Sequence, residues 1–188
     1  MIIFLNKKVL SFFFLNNCYN SIIFELKKEG PMNVVSIREV TPDVGKEKLA
    51  EMRFKRASEI FAKHGATTRL WKVIVGQGVG DLVLMSMYES FSKGATAFQS
   101  FSGDSDMAAL MDERSASPAG ELRGPNLFRM AYGAPVNPPR PILVQRMYHM
   151  PRKNLSKALE LAPEMDALTK SLMFQLGSVY QCWLQITK

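Results

Sequence analysis

The chain is poor in the residues from which reactive sites are most often built. Its two cysteines, Cys18 and Cys182, lie far apart and in no partner motif. That excludes a disulfide framework and a cysteine-held zinc site. Its two histidines, His64 and His149, are not in metal-ligand spacing, so no metal site is expected. There is no Ser-His-Asp order and no paired acid motif. A net charge of +7 invites an acidic partner, but the basic residues form no stripe. The densest group, Arg53, Lys55 and Arg56, is interleaved with Glu47, Glu51 and Glu59, as on a solvated helix face, so a nucleic-acid partner is not expected. What is present suits a packed soluble core: 47% hydrophobic and 22% charged residues lie far from a disordered composition. The cysteine usage fits a reducing, cytoplasmic setting.

Residues 1–31 differ in kind from the rest. They are rich in Ile, Phe, Leu, Asn and Lys and contain no Ala, Arg or Asp. The apolar stretch after Lys7 and Lys8 is broken early by Asn16, Asn17 and Asn20, no small-residue cleavage site follows, and the roughly 20 apolar residues of a membrane span are not there. Such a composition is what A/T-rich untranslated DNA encodes when read as protein. Lys28-Glu29-Gly30 can be encoded by a purine-rich bacterial ribosome-binding sequence just upstream of Met32. The expectation is that Met32 is the initiator and 1–31 a non-native extension. Codons lacking that purine run would remove the idea.

From Met32 on, the periodicities are clear. Residues 34–40 are β-branched and read as a strand ended by Thr41-Pro42, with Asp43 as N-cap of the next helix. Leu49, Met52, Ala57, Ile60 and Phe61 then recur at helical spacing, and Gly65 follows as a stop. Residues 68–75 and 81–89 read as two strands joined by the glycine-rich turn 76–80. A nucleotide-binding glycine loop would need a helix after it, and here a strand follows. The second of these strands is apolar on both faces, with Leu82 and Leu84 on one and Val83, Met85 and Met87 on the other. A sheet with one wet face alternates instead, so this strand predicts cover on both sides. Residues 91–115 read as a helix in two pieces broken at Ser102-Gly103-Asp104, and 126–132 as a fourth strand. The order is β-α-β-β-α-β, the ferredoxin-like unit. A proline-rich linker, 134–141, follows. Beyond it a second module begins in 142–188: a strand over 142–150, a helix carrying Leu155, Leu159 and Met165 with a kink at Pro163, and a strand over 178–186. The fold class is α+β, with a first module over 32–133 and a truncated second one.

Several of these segments carry a family likeness: Arg38-Glu39-Val40-Thr41-Pro42 through Lys63-His64-Gly65, Glu89-Ser90-Phe91, Gly103-Asp104 before Met107, and Gly124-Pro125-Asn126-Leu127-Phe128. In these the chain resembles the dimeric α/β-barrel superfamily, and within it NIPSNAP-like tandem-repeat proteins. The resemblance implies two ferredoxin-like sheets packed face to face, from two chains or from repeats in one chain. Homo-oligomerisation through the sheet face is therefore expected. It also implies a choice of roles: small-ligand binding with cofactor-independent oxygenase chemistry, haem binding or degradation, or a purely structural assembly module. No cofactor is evident from the residues themselves.

The ligand-pocket candidates are the polar and aromatic members of apolar strands: Ser36, Arg38, Trp71, Tyr88, Arg129 and Arg146. Pointing into a barrel, they would give an aromatic wall and cationic donors for an anionic or aromatic small molecule. The plainer reading is that the arginines lie at strand ends and reach solvent. His149, near a strand end beside Tyr148, is the weak catalytic candidate and the residue for a haem to meet, against a purely structural role. His64 reads as a helix-terminal histidine favoured by the macrodipole. The twelve methionines read as core gap-fillers.

Overall fold

The computed structural model describes residues 2–4, 34–133, 142–145 and 150–174. In chain order the elements are β1 (Ile2–Phe4), β2 (Val34–Pro42), α1 (Glu47–Lys63), β3 (Thr67–Gly76), β4 (Leu82–Tyr88), α2 (Phe91–Ser102), α3 (Ser105–Ala116), β5 (Gly120–Arg129), β6 (Leu143–Val144) and α4 (Leu155–Phe174). Strands β5-β2-β4-β3 form a four-stranded sheet in which every pair is antiparallel. The short β1 and β6 extend it beyond β3 in parallel pairing. From β2 to β5 the order is βαββααβ, the ferredoxin-like unit with its second helix in two pieces.

The helix boundaries have local causes. Along α1, Ala50, Phe54 and Phe61 are buried and Ala57 partly so, at three-to-four-residue intervals, with Ile60 buried beside them, and Glu51 meets Lys55 at 2.8 Å on the outer face. The helix stops at His64, and the Ala66 N–H beyond it reaches back to the Phe61 carbonyl at 3.0 Å. At the other end the expected cap is displaced. Lys46, not Asp43, holds the capping position without a side-chain bond, because a Val44-Gly45 turn lies between. Asp43 serves that turn instead, its carbonyl accepting from the Lys46 N–H at 2.9 Å. The break between α2 and α3 falls where the sequence puts it, and both halves are capped by side chains: Ser90 accepts from the Lys93 N–H and Asp104 from the Asp106 N–H.

The fourth strand differs from its sequence reading. It begins at Gly120, six residues early, and ends at Arg129. The glycines and Pro125 that looked like turn residues are accommodated because β5 is the edge of the four-stranded sheet. An edge strand tolerates proline and an interruption of pairing. That interruption lies opposite Arg38, where the register shifts between Ile37 and Glu39.

All seven residues of β4 are buried. Leu82, Leu84 and Tyr88 join Val40, Phe54 and Phe61 in a core beneath the helices. Val83, Met85 and Met87 join Val35, Val73, Met130 and Leu143 on the other face. Each such apolar side chain contributes about 1.5–3 kcal/mol by leaving water. The expectation of cover on both faces is met in this chain. The linker 134–141 and the strand expected over 178–186 lie outside the described residues; of the strand expected over 142–150, Leu143–Val144 is strand and residues 146–149 lie outside them. No helix among the described residues is long and apolar enough to cross a membrane.

Candidate functional site

Cross-strand register fixes the face of every candidate on the central strands. Val34 pairs with Tyr88, Ser36 with Ser86 and Arg38 with Leu84, and Leu84 belongs to the core beneath the helices. Strand alternation then places Ser36, Arg38, Ser86 and Tyr88 on the helix-covered face. Thr68, paired with Ser86, continues the row onto β3, where its hydroxyl accepts from Ser58 of α1 at 2.8 Å. A seam of hydroxyls thus crosses β2, β4 and β3 within an otherwise apolar layer.

Arg38 heads this seam. Its guanidinium carbon lies 4.6 Å from the centre of the Phe61 ring, and Nη1 donates to the Ser36 hydroxyl at 3.1 Å. Burial lowers the Arg38 pKa, with Tyr88 acting in the opposite sense, and burial raises that of the Tyr88 phenol against the pull of Arg38. No carboxylate pairs with Arg38 among the described residues. On the neighbouring strand, opposite Ser36, Ser86 is fully buried and its hydroxyl has no hydrogen-bond partner among the described residues.

The described candidates do not all share one face of the sheet. Of the candidates, Trp71 alone is described on the other face, paired with Val83, its indole N–H buried without an acceptor among the described residues. Arg129, paired with Val34 at the end of β5, is exposed. Arg146 and His149 lie outside the described residues. Because β4 is apolar on both sides, alternation in sequence could not tell the two faces apart. Ser86 and Phe61 were missed as members. The available signal was a hydroxyl in the middle of the run Leu82-Val83-Leu84-Met85-Ser86-Met87-Tyr88.

The other charged clusters are internally paired. Arg123 donates to Asp81 at 2.6 Å and to the Thr41 hydroxyl at 2.7 Å, bracing β5 to the sheet. Arg53, expected on a solvated face, is in fact buried and donates to the carbonyls of Ser117 and Glu113, at 2.6 and 3.0 Å, at the end of α3. The Glu113 carboxylate takes both oxygens to Arg56 Nη1 at 2.7 and 2.8 Å. At the opposite end of α3, one Asp104 oxygen meets His64 Nε2 at 2.7 Å and Lys63 Nζ at 2.9 Å.

His64, and then Lys63, hold the Asp104 carboxyl well below the usual carboxylate range. A depressed folded-state pKa stabilises the native chain above the ordinary value of about 4 and is lost as pH falls below it. Asp104→Asn keeps a capping side chain but removes the charge. It is expected to melt at a lower temperature than wild type at neutral pH, with the gap closing as pH drops below about 4. Melting curves at several pH values check this; a gap constant with pH sinks it.

No group of three His, Cys, Asp or Glu side chains comes together among the described residues. No family model matches the chain, and no curated protein matches it. Solved structures do. A NIPSNAP domain protein from Burkholderia xenovorans is 17% identical over 52% of this chain and 89% of its own, with a TM-score of 0.41. A NIPSNAP family protein from Agrobacterium tumefaciens is 12% identical over 54% of this chain and 89% of its own, with a TM-score of 0.43. SnoaB, a cofactor-independent oxygenase from Streptomyces nogalater, is 14% identical over 56% of this chain and 97% of its own, with a TM-score of 0.38. These matches span about half of this chain and most of each of theirs.

Proposed function

We propose that this chain binds a small organic molecule between its sheet and its helical layer, at Ser36, Arg38, Ser86 and Tyr88. The observation that carries the reading is the Ser86 hydroxyl, wholly buried and without a hydrogen-bond partner among the described residues. A buried hydroxyl left unsatisfied costs about 1–3 kcal/mol, so a sequence that only had to fold would gain from alanine there. A ligand heteroatom is the partner that makes the serine worth keeping.

The test sets stability against binding. In the free chain, Ser86→Ala is expected to melt at the same temperature as wild type or higher. Its affinity for compounds found by thermal-shift screening is expected to fall about five- to tenfold, the worth of one hydrogen bond of about 1 kcal/mol. A variant that melts lower and binds unchanged would show that the hydroxyl is structural. Once a ligand is in hand, oxygen uptake without added cofactor is the first reaction to assay, since that is the chemistry the sequence resemblance implied.

A further inference from the structure

The ligand site proposed above has a sign of charge, and Arg38 sets it. The contrast lies with the other arginines. Arg53 ends on two backbone carbonyls, Arg56 on the Glu113 carboxylate and Arg123 on Asp81. Arg38, by contrast, is half-buried and among the described residues meets one hydroxyl and one aromatic ring. A cation taken out of water without a counter-charge is disfavoured by the loss of its hydration, and proteins normally pair it.

Among the described residues one guanidinium N–H donor is engaged, that to Ser36. The remaining fork is the shape that takes a carboxylate through two parallel hydrogen bonds. The Phe61 ring supports the guanidinium from the side of α1. The open flank lies on the other side. α1 packs on β3, β4 and more lightly on β2, and α2 on β4, whereas β5, the strand next to Arg38, leaves Leu127 and Arg129 exposed on this same face. A ligand arriving over β5 would pass these exposed side chains at the rim to reach Arg38 and the Ser36 and Ser86 hydroxyls. Among the described residues of this group there is one cation, so one negative charge balances it. A phosphate dianion would bring a surplus.

We infer that the site takes an organic monocarboxylate, held by the Arg38 guanidinium, with the Ser36–Ser86 hydroxyl pair receiving a carboxylate oxygen or a neighbouring heteroatom. The inference rests on the binding reading of the previous subsection, and the experiment separates the two. The full chain is titrated calorimetrically and by thermal shift with acetate, benzoate and naphthoate, with the matching amides, and with inorganic phosphate. At least one carboxylate is expected to raise the melting temperature and its amide to bind about tenfold or more weakly. Arg38→Gln is expected to erase that preference, and Arg56→Gln, on the outer surface, to leave it intact. Amides that bind as well as the acids would overturn the carboxylate inference while leaving ligand binding in place. Phosphate binding more tightly than every carboxylate would overturn it too. A chain that responds to no compound brings down both readings. The acid-against-amide comparison on wild type holds even where Arg38→Gln does not fold.

Discussion

An alanine at position 124 is expected to lower the stability of the chain by about 3 kcal/mol, summing a left-handed backbone penalty and a backbone clash. Gly124 sits in the interrupted stretch of β5 at φ +95°, a conformation L side chains rarely adopt. A Cβ there would lie 2.6 Å from the Ile37 carbonyl oxygen and 3.1 Å from the Asn126 N–H nitrogen. Both neighbours are main chain, so neither can swing aside as a flexible side chain would. The only relief is to push β5 away from β2 at the residue before Arg38. Gly133→Ala is the control: its φ is +79°, yet no atom lies within 4 Å of the added carbon. It is expected to cost about 1 kcal/mol, the conformational part alone. Urea midpoints of the two variants measure the difference. Equal losses would mean that the close approach of β5 to β2 is not what requires glycine.

Truncating β4 is expected to be as damaging on one face as on the other. Leu84 is 0% exposed and packs beneath the helices, whereas Met85, 3% exposed, belongs to the opposite cluster with Val35 and Val83. Removing either side chain leaves a cavity in a layer that closes only in part, at a cost of about 2–5 kcal/mol each. The two residues contact different cores, so the double variant should lose close to the sum. Chemical denaturation of Leu84→Ala, Met85→Ala and the pair decides it. A near-neutral Met85→Ala is what a sheet with one wet face would give, and it would end the two-sided account.

The same strand shows how much of the architecture was legible in the sequence, and where legibility stopped. Elements with an unambiguous period came through: the α1 stripe, the glycine hairpin between β3 and β4, and the helix break at Ser102-Gly103-Asp104. So did the two-sided burial of β4, because an unbroken apolar run in a strand is stable only when both faces are kept from water. The orientation of the polar residues did not, for the same reason. A strand apolar on both faces carries no alternation by which to orient Ser86 or Tyr88, and the pairing that orients them is non-local. The start of β5 was hidden because Gly120, Gly124 and Pro125 are turn residues by local chemistry and strand residues only by virtue of the edge they occupy. Arg53 was misread because helical spacing does not show that a neighbouring helix end, with carbonyls to satisfy, lies within reach of it.

One arrangement among the helices has a mechanical consequence. α3 is fastened to α1 at both of its termini, through Lys63 and His64 to Asp104 at one and through Arg53 and Arg56 to Ser117 and Glu113 at the other. The two behave as a single braced unit. α2 is held more lightly: of its twelve residues Ala97 and Phe101 are buried, while Phe91 and Phe98 are largely exposed, and Gly94 lies against the ring of Tyr88. Fewer buried contacts make α2 the helix expected to yield first, and with it the cover that Gly94 gives the Tyr88 ring.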